Sequence, residues 1–501
     1  MAVGLLSTSA SLGEIHCALQ PELPTQPTPL EAAVGPVLSP GARRAYAEVL
    51  KLRIPAAGQL LAAEPASAPG TLLVADCADF VALMISQDAG RYEAAIAAQD
   101  ARLAMLEKIP ASAVRDYTQA EIRLHQAVSQ LVFNHELRGA WNLRQTVGLL
   151  QTAAYRYPSF IPLRKSLGMC QFGIGSLPEG YHWLLKILGL NSSVEEGLQN
   201  LTLAATRPHD FQTESRIVLA LIQETYYKRP ADAVALMESL RHEQPDNLLF
   251  SYLVISLNKR QHHTDDALAA YRARPTGPAY LPVAYLHHMA ADLLLYQGDY
   301  RGSEAENQQF LREYRGQHYR KDAAFKLYLV AWLSGQPAAT VERYRQQINL
   351  AGPLILEEDI YAQRFYHDAL PLNLTLTRAR FQTDGGYYQL ALSTLHKFEP
   401  SSSTPTREQL ELLYRRARVW QGLLRTDSAR LDYLRTVRLA AALGRPPYYF
   451  APQAALQLGY LAQTAGQRAA AKTYFEQALA YPKHEYKNST DQKAKLALRE
   501  L

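Results

Sequence analysis

Four pairs of small residues, each pair twelve positions apart among helix formers, punctuate the second half of this chain. They are Ala291 and Ser303, Ala379 and Ala391, Ala417 and Ala429, and Gly459 and Ala471. In three of the four a glycine falls seven positions after the first member, at Gly298, Gly386 and Gly466. A helical hairpin needs both devices: small residues let two helices approach closely, and a glycine turns the chain between them. Two further alanines at the second-helix position, Ala233 and Ala267, lie 34 residues apart, a period typical of stacked helical hairpins. The pattern restricts the chain to a helical repeat array.

The register is that of the tetratricopeptide repeat (TPR). Spacings between second-helix small residues grow from 34 to 36, then 38 between Ala391 and Ala429 and 42 between Ala429 and Ala471. An aromatic follows the second-helix alanine by four residues at Tyr271, Tyr433 and Phe475. That step keeps it on the same helix face, where it plugs the groove between repeats. With no alternating strand pattern, the fold class is all-α: a TPR-like helical-hairpin solenoid with an N-terminal helical layer, roughly twenty helices at this period.

Four segments follow. Residues 1–41 form a proline-rich lead-in containing Pro21, Pro24, Pro27, Pro29, Pro36 and Pro40, read as an extended linker or the remnant of an export signal. Residues 42–205 form an N-terminal helical domain, with helices expected over 72–88, 92–108, 116–134 and 137–155 and an interruption at Pro55. TPR-like repeats occupy 206–350, and C-terminal TPR repeats occupy 351–501. At the start of the last segment, between the unit at Phe325–Ile348 and the next hairpin, Gly352–Asp359 reads as an insertion ending in the acidic trio Glu357, Glu358 and Asp359.

Composition narrows the function classes. Hydrophobic residues make up 48% and charged residues 20%, as in globular proteins. The net charge of +5 is the small difference of 52 basic and 47 acidic side chains, so no nucleic-acid partner is expected. The apolar stretch Leu72–Ile85 is interrupted by Asp76 and Asp79, so no transmembrane segment is expected. Cys17, Cys77 and Cys170 are too scattered for a zinc or disulfide pattern. Arg43 is the first basic residue, and a secretory signal starts with positive charge, so cytoplasmic residence is the expectation, with export to the periplasm or cell envelope as the alternative.

Catalytic and metal motifs are missing. Gly173 and Gly175 follow no strand and precede no Gly-Lys-Ser/Thr, so they read as a structural turn and not a phosphate loop. The adjacent pairs His262–His263 and His287–His288 cannot chelate one ion from neighbouring helix positions. The acidic trio lacks the spacing of a calcium loop and reads as a solvated loop or helix start. No cofactor, metal or catalytic residue is assigned. Tyrosine is abundant, at 30 residues against 13 phenylalanines. Tyr296, Tyr300, Tyr387, Tyr388, Tyr414, Tyr448 and Tyr449 are the candidate groove aromatics, since amphipathic rings serve as rigid anchors in recognition surfaces.

The segment from Gly168 to Leu201 carries Ser176-Leu177-Pro178, Leu184-Leu185, Gly189-Leu190 and Gly197-Leu198. This resembles a signature of the tetratricopeptide repeat protein 39 family, which includes the fungal inclusion-body clearance proteins, although Leu190 replaces the family's aromatic. The C-terminal order, a Pro-Pro-Tyr-Tyr ending, Leu458-Gly459 and a short tail after Tyr486, is also similar. The resemblance implies a helical interaction protein without assigned catalytic residues. The expectation is a non-catalytic scaffold or adaptor binding a protein or peptide partner in its solenoid groove. The alternative is an exported small-molecule or glycan-binding protein using Trp141, Trp183, Trp332 and Trp420.

Overall fold

Small residues and turn positions set the helices. The computed structural model describes residues 36–176, 193–227, 230–354, 356–499 and 501, and these contain 24 α-helices and no strand. They form two compact units: the chain up to Leu257 with Ala270–Ala284 and Glu313–Gly316, and Asn258–Ala269 with Tyr285–Arg312 and Gln317–Leu501. The units are interleaved in sequence and do not follow the segment boundaries at 205 and 350.

The first unit contains α1 (Pro40–Leu50), α2 (Ile54–Leu61), α3 (Pro69–Ser86), α4 (Tyr92–Leu106), α5 (Ala113–Val132) and α6 (Glu136–Arg156). It continues with α7 (Pro162–Gly175), α8 (Val194–Thr206), α9 (Gln212–Tyr227), α10 (Pro230–Glu243) and most of α11 (Leu248–Arg260). Pro55 does not interrupt a helix. It lies in the first turn of α2, where its missing N–H has no partner to lose. Proline opens α1, α3 and α7 in the same way.

The core of this unit gathers Tyr117, Ala120 and Leu124 of α5 with Leu150 and Ala153 of α6 and Leu163 and Leu167 of α7. Helix α3 has the length and apolar composition of a membrane span, but half of it is buried inside the protein. Its Asp76 is fully buried, with Arg102 Nη1 at 3.2 Å and His125 Nδ1 at 2.7 Å. The glycines of the Gly173 region form no loop: Gly173 and Gly175 are the last turn of α7. Helices α7 and α8 cross on two glycines. A Cβ on Gly168 would lie 2.8 Å from the Gly197 carbonyl oxygen, and one on Gly197 would lie 2.5 Å from the Phe172 nitrogen. The family-like residues Gly197 and Leu198 are therefore part of a close helix crossing. Leu177–Pro178, Leu184–Leu185, Gly189–Leu190 and Trp183 lie outside the described residues.

The second unit is a run of hairpins. Its helices are α12 (Thr264–Ala273, of which the first turns belong here), α13 (Tyr285–Gln297), α14 (Tyr300–Glu313), α15 (Arg320–Leu333) and α16 (Ala338–Leu350). Then follow α17 (Glu357–His367), α18 (Leu374–Asp384), α19 (Tyr388–Leu395), α20 (Thr406–Gly422), α21 (Thr426–Ala442), α22 (Phe450–Thr464), α23 (Arg468–Leu479) and α24 (Lys487–Arg499). Six hairpin turns place a residue at positive φ: His262 (61°), Gly298 (90°), Gly335 (71°), Gly386 (83°), Leu424 (58°) and Gly466 (72°). After each, the next N–H donates to the carbonyl five residues back. The bonds 263→258, 299→294, 336→331, 387→382, 425→420 and 467→462 all measure 2.8–2.9 Å. This is the Schellman closure of a helix end, which satisfies carbonyls that the helix leaves open. Glycine adopts the conformation without strain, whereas His262 and Leu424 hold it against a Cβ penalty.

The small residues lie where two helices touch. Ala267, Ala291, Ser303, Ala379, Ala391, Ala417, Ala429 and Ala471 are all buried at 0% exposure, as is Ala233 in the first unit. Ser303 Oγ donates to the Ala291 carbonyl at 2.7 Å, joining α14 to α13. A Cβ on Gly459 would overlap the Phe475 ring, which is fully buried beside it. Burying such a ring contributes about 1.5–3 kcal/mol. The segment after residue 350 is no mere loop: the acidic trio forms the first turn of α17. Asp359 is fully buried there, not solvated, because its carboxylate accepts the N–H groups of Tyr319 at 2.8 Å and Asp322 at 3.0 Å.

Candidate functional site

None of the seven groove tyrosines is fully exposed, and they do not form one patch. Tyr414 and Tyr449 are core residues, 3% and 7% exposed, and their ring centroids lie 5.8 Å apart. Both corrections have one cause. Small residues at Ala417, Ala429 and Ala454 open space between helices that large rings fill. Tyr448 is half-buried against the same cluster, and Tyr300 against the cluster of α15 and α17. Tyr388 packs over Gly422. Tyr296 stacks on Phe381 at 6.2 Å and lies against Gly385.

Tyr387 and Tyr296 belong instead to a junction of turns. Tyr387 Oη donates to Asp265 Oδ1 at 2.6 Å, and His262 Nδ1 is 2.7 Å from the Asp384 carbonyl oxygen. The turn between α11 and α12 thus touches the turn between α18 and α19, about 120 residues later, so hairpins of this unit contact more than their sequence neighbours.

Charged side chains separate structural clusters from a candidate site. In the first unit Lys165, 2% exposed, faces Glu121 Oε2 at 2.7 Å and Glu214 Oε1 at 3.2 Å. Tyr46 Oη donates to Glu214 at 2.8 Å. Burial opposes every charge here, yet Lys165 holds the Glu121 carboxyl below its usual range. In the second unit Asp292 binds Lys259 and Lys326, and Lys326 also binds Asp322 at 2.5 Å. His288 Nε2 is 3.3 Å from Asp322, and burial, with Lys326 beside it, pushes its pKa down, keeping the ring neutral near pH 7. In the second cluster two lysines meet two carboxylates, and in the first the buried lysine is enclosed by its two glutamates, so both are internal networks whose cations are fully used.

The ends of α18 and α20 are not matched. Arg380 Nε lies 3.6 Å from Asp384 Oδ2, one turn along α18, and Arg418 Nη1 of α20 lies 3.4 Å from Asp384 Oδ1. One carboxylate therefore serves two guanidiniums, at long distances. The three side chains are 27%, 28% and 22% exposed, open enough to reach a ligand. Arg380 lies 5.8 Å from the Tyr361 ring centroid and 5.6 Å from that of Phe381. A third cation, Lys493 of α24, has its pKa lowered by desolvation and then by the Arg418 charge. Arg415 is separate: it bonds Glu411 Oε1 at 2.9 Å and Tyr449 Oη inside the core.

Pattern reading overlooked this cluster because it weighed charge over the whole chain. Residues 374–422, from the start of α18 to the end of α20, hold seven Lys/Arg against four Asp/Glu, a local excess that a segment count reveals. Among the described residues no group of three or more His, Cys, Asp or Glu side chains is placed to hold a metal ion.

No family model matches the chain, and no curated protein matches it. Solved structures similar to it include a monomeric mutant of IFIT1 with Gppp-AAAA, at 12% identity and a TM-score of 0.31, covering 86% of this chain and 94% of that one. Yeast Tom70 is similar at 11% identity and 0.32, covering 92% and 88%. The human IFIT1 dimer with PPP-AAAA is similar at 11% identity and 0.29, covering 90% and 95%. Likeness this distant carries no argument about ligands.

Proposed function

We propose that this chain is a non-catalytic TPR-like scaffold that binds an acidic segment of a partner protein at Arg380, Arg418 and Lys493. The supporting observation is the imbalance at Asp384: one carboxylate for two arginines, with a lysine close enough to feel the Arg418 charge. A carboxylate-bearing segment would relieve that repulsion, and charge-assisted bonds to guanidinium are among the stronger polar contacts. Tyr361 and Phe381 beneath Arg380 fix its position, as preorganised anchors do. The relation to the tetratricopeptide repeat protein 39 family is part of this reading. It rests on the Gly168–Leu201 segment, whose described part forms the α7–α8 crossing.

The test is affinity capture with the full chain from its own cells, comparing wild type with the double variant Arg380→Glu/Arg418→Glu. The reading expects a protein that is captured by wild type and lost from the variant while helicity and melting temperature are retained. Recovery of no protein, together with a small metabolite or glycan that raises the melting temperature, would contradict it.

A further inference from the structure

Among the described residues of the first unit, the largest exposed aromatic side chain lies on α6. Leu137, Trp141 and Tyr155 are 62%, 53% and 46% exposed. With Gly148 they occupy positions 137, 141, 148 and 155, steps of four and seven that trace one line along a helix. A Cβ on Gly148 would meet nothing within 4 Å, so the line has a notch at its middle. Trp141 and Tyr155 are fourteen residues apart, about 21 Å of helix axis at 1.5 Å per residue. A second helix, roughly 10–12 Å across with its side chains, fits between the two rings and can cross at the glycine.

Charge narrows the occupant. Along α6 the charged residues are Glu136 in its first turn, then Arg138, Arg144 and Arg156, so no acid follows Leu137. Arg156 is held by Asp116 at 3.4 Å. The Arg144 guanidinium carbon lies 5.6 Å from the Trp141 ring centroid, and Arg123 Nη1 reaches Gln145 at 3.4 Å, adding a further cation beside the stripe. Two copies of this face would oppose arginine to arginine, so self-association through it is disfavoured. A lipid surface fits poorly too: the middle of the stripe is Gly148 flanked by Gln145, Gln151 and Thr152, where interfacial helices bury apolar side chains. An amphipathic helix with carboxylates on its flanks satisfies both the notch and the charge.

We infer that the outer face of α6 is a docking surface for an acid-flanked amphipathic helix of a partner protein, seated over Gly148 between Trp141 and Tyr155. Trp141 and Tyr155 cover the apolar face of the incoming helix from its two sides, and Arg138 and Arg144 meet its carboxylates. The surface shares no residue with the site at Arg380 and Arg418, so either can fail without the other.

The probe is a fluorescein-labelled synthetic helix of Leu and Ala with Glu flanks, titrated against the full chain, beside a matched peptide with Lys flanks. The expected result is saturable binding of the Glu peptide. Gly148→Leu, which fills the notch, and Trp141→Ser should each weaken it by about tenfold or more. Both positions are exposed, and leucine favours helix over glycine, so folding is preserved and checked by circular dichroism. Arg144→Glu should weaken the Glu peptide and strengthen the Lys peptide, and Arg418→Glu should change neither. Absence of saturable binding, or binding undiminished by Gly148→Leu, overturns the inference. Loss through Arg418→Glu also overturns it, by moving the peptide to the other site. So does Trp141-dependent binding to phosphatidylglycerol vesicles without binding of the Glu peptide.

Discussion

Three turn glycines that look equivalent in sequence should respond unequally to alanine. Gly298, Gly386 and Gly466 each fall seven positions after a small residue and each has positive φ. At Gly298 and Gly466 a Cβ would meet nothing within 4 Å. Alanine there carries only the left-handed backbone cost of ~1–2 kcal/mol, partly offset by the ~0.4–1 kcal/mol gained from a less flexible unfolded chain. The net is about 1 kcal/mol. At Gly386 the Cβ would fall far inside van der Waals contact distance of the His262 carbonyl oxygen. A backbone atom cannot rotate away, and the His262 ring is tied to the Asp384 carbonyl at 2.7 Å. Overpacking adds ~1–3 kcal/mol, giving a total of about 2–4 kcal/mol. Repeat arrays can unfold in parts, so the assay is amide hydrogen exchange resolved by segment. At 1.4 kcal/mol per tenfold, Gly466→Ala should speed exchange around its own turn by about fivefold. Gly386→Ala should speed it by about 30- to 700-fold in α18 and α19, and also at residues 258–265. Equal effects at the three glycines, or no response at 258–265, would refute the turn junction.

Leu424 occupies the same turn position at φ 58° and is 87% exposed, so Leu424→Gly should raise stability by about 0.5–1 kcal/mol. A lower melting temperature would refute this. Burial, with Asp322 and Glu358 nearby, raises the Asp359 pKa to about 6, above its unfolded value. The folded state therefore binds the proton more tightly, and the gain is fully present below the unfolded value and lost as pH rises through 6. Wild type should lose up to about 3 kcal/mol relative to Asp359→Asn between pH 4 and 7, and a difference independent of pH would refute it. Gly197→Ala should cost about 1–3 kcal/mol by forcing α8 off the Phe172 backbone, while Gly173→Ala, with open space, should gain up to about 1 kcal/mol. Chemical denaturation of both variants distinguishes them, and equal signs would refute the crossing.

The hairpins were legible because close packing and turn geometry both demand particular residue types. Ala291 with Ser303, or Gly459 with Phe475, records a helix contact directly in the chain. Turns formed by His262 and Leu424 were not legible, since side chains that tolerate strain leave no mark. The burial of Asp359 depends on the N–H groups of α15, about 40 residues away, which no local pattern contains. Tyrosines were abundant in sequence, but whether one faces a core or a groove is decided by the neighbouring helix, as Tyr414 and Tyr449 show. The Arg380–Asp384–Arg418 cluster joins two hairpins, so only the segmental charge count could have pointed to it.

The repeat-scaffold account is tested most directly by hydrogen exchange on Ala471→Leu. Ala471 is fully buried in the α22–α23 hairpin beside Phe475, and a larger side chain should push the two helices apart at a cost of ~1–3 kcal/mol. If hairpins are stabilised by local interfaces, protection should fall across α22, α23 and α24 while α13–α16 keep theirs. A uniform loss of protection along the whole chain would contradict the account, because it would make the protein one cooperative globule and not an array of hairpins.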